Sequence, residues 1–442
     1  PPRQRAAAFG IFGAIIGLAT ITGPLVGGLL IEADLLGLGW RPIFLVNVPI
    51  GIGALVAAAM FLPESRAPRA LRLDLVGVGL ATAGLLLLVY PLVQGRDLGW
   101  PAWTFASMVA SVLVLAGFAA WERRKKAADG SPLVDLALFR QRAFVAGLLV
   151  SAIFFMGIPA FFLTFTLWLQ IGLGFSALHA GLTGVPFAIG SALASTASVR
   201  LAPRLGRRIL TLGALLLAVG MVGVIWTVDR YDGATHSWQL IPALAVCGIG
   251  LGSTVAPLVN VVLAGIRGQD AGAASGVLTT VQQVGGAVGV ALIGVIFFGL
   301  LSSQAAGVSA DLAPRLAAEL RAAGLPAPAS GQVVAGFETC FQDRASAKDP
   351  SAVPPSCQRA AAAEGSGEPQ GGAPVNQGQG RVGQVVAATA DAARRQDFSD
   401  AFQRTLLFEV AVFLLTMVLT FLLPDPRGRA AQRAPAEVPA GA

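Results

Sequence analysis

The sequence predicts an all-α protein that crosses a membrane about ten times, and three observations lead to that prediction. The mean hydropathy is +0.71, and 55% of the residues are hydrophobic while only 12% are charged. Apolar runs of about 20 residues, the length that a helix needs to cross the hydrocarbon core of a bilayer, recur along the chain. Basic residues are concentrated in alternate gaps between these runs, as expected for a polytopic membrane protein.

The apolar runs define the predicted spans, in order from the amino terminus. The first run is longer than the apolar part of a signal peptide and lacks a small-residue cleavage site, so we interpret it as a span. A gap of about a hundred residues separates the last two predicted spans. The ten spans are 7–31, 42–62, 73–93, 102–121, 144–170, 180–199, 209–228, 239–263, 273–301 and 404–423.

The distribution of charge predicts the orientation of the chain. Nineteen Lys and Arg residues lie in alternate gaps that begin with residues 1–6, whereas the short gaps between them hold only Arg41, Arg96 and Arg230. The positive-inside rule therefore places both ends of this chain on the cytoplasmic side of the inner (plasma) membrane. The net charge of +7 comes from basic residues that lie between the spans and set this orientation. For that reason we expect no nucleic-acid partner.

The long gap 302–403 lies outside the cell in this orientation, because long segments cross largely regardless of their charge. It contains Cys340 and Cys357, which can form a disulfide in an oxidising compartment. Spacing alone does not fix the pairing, and two reduced thiols are the alternative. We expect two short helices in this gap, 310–323 and 382–404, and a disordered middle from about 345 to 380.

Residues for enzymatic chemistry are missing from the sequence. It has no Gly-rich phosphate-binding loop ending in Lys-Ser or Lys-Thr. Both histidines, His179 and His236, lie at or outside span ends, which leaves no buried catalytic triad and no two-histidine metal site. We predict that the protein is not an enzyme and has no catalytic residues, no metal and no cofactor.

The first span carries small residues at helical spacing together with a proline. Three of them fall four residues apart on one helix face, which lets another helix approach closely. The proline removes a backbone donor and predicts a bend. The residues are Gly10, Ala19, Gly23, Pro24, Gly27 and Gly28. This pattern resembles the antiporter motif of the major facilitator superfamily, with Ala19 in place of a glycine; an ordinary packing helix is the alternative.

Two later segments resemble the same superfamily. Spans three and four, with Asp74 at the start and a Gly99-Trp100 hairpin between them, are similar to the extra helix pair of the fourteen-helix drug:proton antiporters. The segment that follows span six resembles the second copy of the cytoplasmic loop motif. The matching residues are Arg204, Gly206, Arg207 and Arg208, while Pro203 replaces the aspartate. The glycine permits a tight turn and the arginines can fix helix ends; a plain orientation signal is the alternative.

The resemblance implies a major facilitator fold that begins at helix five of fourteen, with the first four helices upstream. It divides the chain into the end of an amino-terminal bundle, an extra helix pair, a cytoplasmic connector, a carboxyl-terminal bundle with one long outer loop, and a cytoplasmic tail. These parts are 1–62, 63–121, 122–143, 144–301 with 404–423, 302–403 and 424–442.

Amides and aromatic rings within the spans are the candidates for lining a central cavity. Core packing, helix-to-helix hydrogen bonds or contact with water are the alternatives for each of them. Two neighbouring amides point about 100° apart on a helix, so only one of the last pair can face a cavity. The candidates are Asn47, Phe155, Phe162, Phe165, Gln170, Asn260, Gln282 and Gln283.

Glu409 is the only carboxylate plainly inside a predicted span. An ionisable group within a membrane is a functional candidate by default. Its position about one turn below the outer interface instead favours snorkelling to the surface or pairing with Arg404.

The function implied by the resemblance is secondary active export of amphipathic drugs or toxic compounds. Transport would proceed by alternating access and proton antiport, with the proton-coupling acid and arginine on helices one and four of the family. The expected partners are a small amphipathic substrate, protons and the lipid bilayer, and the expected state is a monomer. Export of an endogenous metabolite, lipid or siderophore is one alternative; a channel or a non-transporting structural subunit is another.

Overall fold

The computed structural model of the protein describes residues 23, 26–61, 74–128, 132–231, 235–267, 270–347, 353–359 and 376–423. Within these ranges the chain is helical and contains no β-strand. The predictions made for Gly10, Ala19 and Pro24, for most of the first span and for the tail lie outside the described residues.

Twelve helices are numbered here in chain order. They are α1 (Pro42–Leu45), α2 (Asn47–Phe61), α3 (Leu75–Leu98), α4 (Ala102–Ala128), α5 (Arg142–Leu167), α6 (Ala177–Thr183), α7 (Val185–Leu205), α8 (Arg208–Tyr231), α9 (Ser237–Leu263), α10 (Ala271–Ala322), α11 (Ala327–Ser346) and α12 (Asn376–Leu419). A π-helical turn, Trp168–Gly172, follows α5, and short 3₁₀ turns lie at Leu35–Gly37, Leu136–Arg140 and Thr420–Leu422.

Nine helical segments among the described residues are long and apolar enough to cross a membrane. They overlap predicted spans two to ten, and the last two extend well beyond the predicted bounds. Four of them are composite, because α1 joins α2, α5 joins the π-helical turn, α6 joins α7, and α12 joins the 3₁₀ turn Thr420–Leu422. The prediction of an all-α polytopic membrane protein is therefore confirmed.

Local signals explain where the extra helix pair begins and turns. The Asp74 carboxylate accepts a hydrogen bond of 2.9 Å from the Gly77 amide, which caps the first turn of α3. Gly99 ends α3 in the left-handed conformation, at a φ of 76°, which glycine adopts without steric cost. The indole of Trp100 then packs on Gly95. The predicted Gly-Trp hairpin is present between α3 and α4.

The main hydrophobic core lies among α5, α7, α8, α9, α10 and α12. Large side chains from different helices meet there, and Phe154, Trp168, Phe297, Phe402 and Phe413 are all fully buried. Trp168 stacks on Phe402 with ring centroids 4.7 Å apart. The carboxyl-terminal helices thus form a bundle with a continuous interior.

A second, smaller core lies in the predicted outer gap. Helices α10 and α12 continue into this region and enclose it together with α11, burying Leu316, Leu320, Phe337 and Ala393. The prediction of helix at 310–323 and 382–404 is confirmed except at Ala323, but the prediction of two separate short helices is wrong, because these residues belong to the continuous helices α10 and α12. Most of the middle that we expected to be disordered lies outside the described residues. Cys340 and Cys357 are joined in a disulfide.

Candidate functional site

The contact between the first span and the carboxyl-terminal bundle is made at Gly28. A Cβ atom placed on Gly28 would lie 2.8 Å from Cα of Leu178 and 2.9 Å from the carbonyl oxygen of Ala177. Both are backbone atoms of α6, so the backbones of the first span and of α6 touch without an intervening side chain. The same construction at Gly23 and Gly27 meets no described atom within 4 Å. Of the predicted motif residues that the structure describes, Gly28 alone makes the close approach.

Glycines also set the distances between helices inside the carboxyl-terminal bundle. On α9, Gly248 and Gly252 lie against backbone carbonyls of α7, and Gly250 lies against α8. On α10, Gly285 lies against the carbonyl of Ala152 and Gly289 against that of Met156, both on α5. The glycine faces of α9 and α10 are therefore used for close helix packing, which suits helices embedded in lipid.

The cytoplasmic loop motif connects α7 to the end of the last helix. Gly206 ends α7 at a φ of 58°, in the region that favours glycine. Arg207 then donates hydrogen bonds of 3.2 Å to the carbonyl oxygens of Phe421 and Leu423, and its guanidinium lies 5.6 Å from the centre of the Phe421 ring. Arg204 and Arg208 are exposed. Arg207 is the arginine of the motif that fixes a helix end.

The three predicted aromatic candidates have different environments. Phe165 is 4% exposed and packs between Phe161 and Trp168, so its assignment to a cavity is wrong. Phe155 and Phe162 are half-buried at the edge of the core. The sequence cannot show which side of an aromatic-rich helix faces inward, and α5 turns Phe154, Phe161 and Phe165 into the bundle.

The predicted amides are not gathered in one place. Asn47 is exposed and donates to the carbonyl of Ile43 within its own span, rather than to another helix. Gln170, in the π-helical turn, and Asn260, near the end of α9, are exposed. Gln282 is half-buried, and its Nε2 atom lacks a hydrogen-bond partner.

Gln283 lines a groove between α3 and α10. The groove has a volume of about 660 Å³, and Thr82 contributes to it from α3 while Thr279 and Thr280 contribute from α10. Its walls combine these hydroxyls with apolar side chains. A volume of this size is in the usual range for small-molecule sites. The groove brings together one predicted amide and three threonines that the sequence did not single out.

A polar cluster at the start of α3 was only partly foreseen. The Trp121 indole donates hydrogen bonds of 3.1 Å to both oxygens of Asp74, and the carboxylate of Glu122 accepts one of 3.0 Å from the Val134 amide. Burial alone would raise the pKa of Asp74. The hydrogen bonds from Gly77 and Trp121 and the charge of Lys125 outweigh it and hold that pKa below its ordinary value. The cluster ties α3, α4 and the connector together.

The position of Glu409 differs from the expected one. Glu409 lies on α12 and its side chain is fully buried. Both of its carboxyl oxygens lack a hydrogen-bond partner. A Cβ atom on Gly157 of α5 would lie 3.1 Å from Oε2 of Glu409. Arg404 is exposed. The expected snorkelling and the expected pairing with Arg404 are therefore both wrong, and Glu409 faces the interior of the bundle.

Comparisons with known proteins agree with this architecture. The family model of the Major Facilitator Superfamily matches residues 1–290. The chain is 41% identical over 426 residues to the probable actinorhodin transporter of Streptomyces coelicolor, covering 96% of this chain and 71% of that protein. It is 33% identical over 307 residues to the puromycin resistance protein pur8 of Streptomyces alboniger, covering 69% of this chain and 59% of that protein.

A third relative is the tetracenomycin C resistance and export protein of Streptomyces glaucescens. The identity is 31% over 306 residues, covering 67% of this chain and 53% of that protein. This chain therefore spans between about half and 71% of the length of the three relatives.

Several independent features now agree: the hydrophobic helices, the glycine contact at Gly28, the loop that holds Arg207 and the match of the family over residues 1–290. They describe a multi-pass membrane protein of a transporter family rather than an enzyme. The chain belongs to the major facilitator superfamily.

Proposed function

We propose that the protein exports amphipathic organic compounds, of the kind that act as antibiotics, across the cytoplasmic membrane in exchange for protons. The names of three relatives support the substrate class, since they refer to actinorhodin transport, puromycin resistance and tetracenomycin C export. Binding surfaces made of aromatic rings and scattered amides offer apolar area with few fixed hydrogen bonds. Such surfaces suit a transporter that accepts several different substrates.

The contact of Gly28 with α6 is the observation on which the proposed mechanism rests. Alternating access requires two helix bundles to rock about a site between them. Gly28 lies at the end of the first span, and Leu178 and Ala177 begin the second span of the carboxyl-terminal bundle. Backbone-to-backbone contact gives a smooth surface along which these two helices can move. The contact thus supports a moving seam between the halves.

The direct test is efflux from membrane vesicles. The chain, and the longest reading frame that contains it, are expressed and assayed with a fluorescent cationic dye and with an antibiotic, with and without an imposed proton gradient. Proton antiport predicts that a protonophore abolishes efflux. Efflux that is indifferent to the proton gradient in both proteins would overturn the proposal.

Two matched variants test the seam. We expect Gly28→Ala to reduce efflux by at least about tenfold, because its Cβ meets backbone atoms of α6 and the helices must separate. Gly27→Ala, one residue earlier, adds the same methyl group where no described atom lies within 4 Å. It should retain normal efflux at an equal protein level in the membrane. Equal rates for the two variants would contradict a seam at Gly28.

A further inference from the structure

Glu409 is fully buried where α12 packs against α5. Gly157 of α5 makes room for it: a Cβ there would lie 2.7 Å from Cζ of Phe413 and 3.1 Å from Oε2 of Glu409. Phe413, one turn further along α12, and Phe154 of α5 pack edge to face with centroids 5.9 Å apart. The carboxyl group is therefore enclosed by an aromatic and glycine-lined interior.

The depth of Glu409 follows from contacts at the two ends of its span. Near the cytoplasmic end, the hydroxyl groups of Thr420 and Thr211 lie 2.7 Å apart. Near the outer end, Phe402 stacks on Trp168. At 1.5 Å per residue, Glu409 lies about 16 Å from the level of Thr420 and about 10 Å from that of Phe402. Glu409 therefore lies between these two contacts along α12, about two helical turns from the nearer one.

Charged groups on the surrounding helices do not face Glu409. Helices α5, α8 and α10 pack against α12. Their ionisable residues lie at exposed helix ends or in the outer extension of α10: Arg142, Arg208, Asp229, Arg230, Tyr231, Asp311, Arg315, Glu319 and Arg321. On α12 itself Arg404 is exposed, and Arg394, Arg395, Asp397 and Asp400 lie further toward the outer side. Neither oxygen of Glu409 has a hydrogen-bond partner.

An ionised carboxylate is strongly disfavoured in such a place, because nothing replaces its hydration. The neutral acid loses far less on burial. A metal ion would need several oxygen ligands, and the described residues contain no cluster of three acidic, histidine or cysteine side chains. Both carboxyl oxygens are shielded from solvent. A proton is the ligand that fits.

We propose that Glu409 is a proton-binding site of the carboxyl-terminal bundle, loaded at rest and unloaded during the transport cycle. The role in the cycle rests on the proposed function, while the bound proton does not. The site is distinct from the acid and arginine that the family resemblance places on helices one and four. It would give the carboxyl-terminal half a protonation step of its own.

The bound proton can be tested without any transport measurement. Infrared spectra of the protein in liposomes are recorded at neutral pH, where water-exposed carboxyl groups are ionised. A carbonyl stretch from a protonated carboxyl should be present and should weaken in Glu409→Gln. It should be unchanged in Glu319→Gln. Glu319 pairs with Arg315 at 2.9 Å in the outer bundle, the part of α10, α11 and α12 that encloses the second core. Because Asp397 is a second buried acid, the loss in Glu409→Gln is the decisive comparison; no loss would overturn the proposal.

Labelling of the unaltered protein covers the case in which Glu409→Gln fails to fold. Dicyclohexylcarbodiimide reacts with protonated carboxyl groups in apolar surroundings, and peptide mapping identifies the modified residue. We expect modification of Glu409 and none of Glu319. Modification of Glu319 alone, or of neither acid, would contradict a proton held at Glu409.

The role in transport is tested by separating net efflux from exchange. Glu409→Gln fixes the neutral state, so it should retain substrate-for-substrate exchange and lose proton-driven efflux by at least about tenfold. Wild-type and Glu409→Gln proteins with equal proton-driven efflux would exclude Glu409 from the cycle. A wild-type protein whose efflux ignores the proton gradient would instead overturn the proposed function, and the infrared result would still decide whether Glu409 holds a proton.

Discussion

At the residue scale, Arg207 shows how one side chain can hold two distant segments together. It follows the glycine that ends α7 and reaches the carbonyl oxygens of Phe421 and Leu423, at the last turn of the final span. The carbonyl end of a helix carries partial negative charge, which a guanidinium offsets. The interaction closes one end of the bundle by joining α7 to the turn after α12.

We predict that Arg207→Ala destabilises the carboxyl-terminal bundle by about 1–2 kcal/mol, because two charge-assisted hydrogen bonds are lost at a partly exposed site. The measurement is thermal unfolding in detergent. Arg208→Ala is the matched control, since Arg208 is exposed and adjacent in sequence. Equal losses of thermal stability in the two variants would show that charge alone, rather than the contact with the helix end, is responsible.

Individual residues were also where inference from sequence was least successful. Glu409 was placed near the outer interface because hydropathy falls off at about residue 404. The structure instead buries Glu409 against Gly157 of α5, because the rotation of α12 about its axis turns this side chain into the bundle. The assignment of Phe165 to a cavity is wrong for a related reason. Aromatic residues lie on all sides of α5, so the sequence does not show which side of this helix faces the bundle interior.

At the scale of elements, the glycines of α9 fix how closely α7 and α8 approach. Gly248 and Gly252 meet backbone carbonyls of Phe187 and Ser191 on one side, while Gly250 meets Gly213 and Leu217 on the other. Helices in lipid associate largely through such packing, because lipid is as apolar as the side chains. Residues two apart lie on nearly opposite sides of a helix. These glycines therefore allow α9 to pack closely against two neighbouring helices.

Substitution of Gly248 by alanine should therefore be strongly destabilising. The new methyl group would collide with the backbone of Phe187, which cannot rotate away as a side chain can. We expect a loss of about 1–3 kcal/mol, measured by unfolding in detergent. Gly299→Ala, at an exposed position of α10 with no described atom within 4 Å, provides the control. It should be neutral or stabilising by up to about 1 kcal/mol; similar losses for both would contradict this packing role.

The spans themselves were well predicted because two strong signals act at this scale. Apolar length sets where a helix crosses the bilayer, and Asp74 and Gly99 mark the limits of α3 through capping and a left-handed turn. The outer segments gave no such signal. Alanine-rich stretches favour helix wherever they occur, so the sequence could not show that α10 and α12 run without a break into a small outer core.

At the scale of the whole molecule, the charge pattern predicts the orientation in the membrane, and the disulfide provides an independent test of that prediction. Cys340 and Cys357 are joined within the outer bundle, and Cys247 is fully buried in α9. These are the three cysteines of the chain. The positive-inside rule predicts that the paired cysteines lie outside the cell. The chain thus carries its own topology probes without any added residue.

Intact cells should consequently show a simple labelling pattern with a membrane-impermeant maleimide. Without a reductant we expect no labelling, because both outer thiols are joined and Cys247 is inaccessible. A membrane-impermeant reductant should expose Cys340 and Cys357, and both labels should disappear in the double variant Cys340→Ser, Cys357→Ser. Labelling that occurs only after the cells are broken open would place α11 in the cytoplasm. The alternation of charge would then be out of register by one span, and the proposed direction of transport would fail with it.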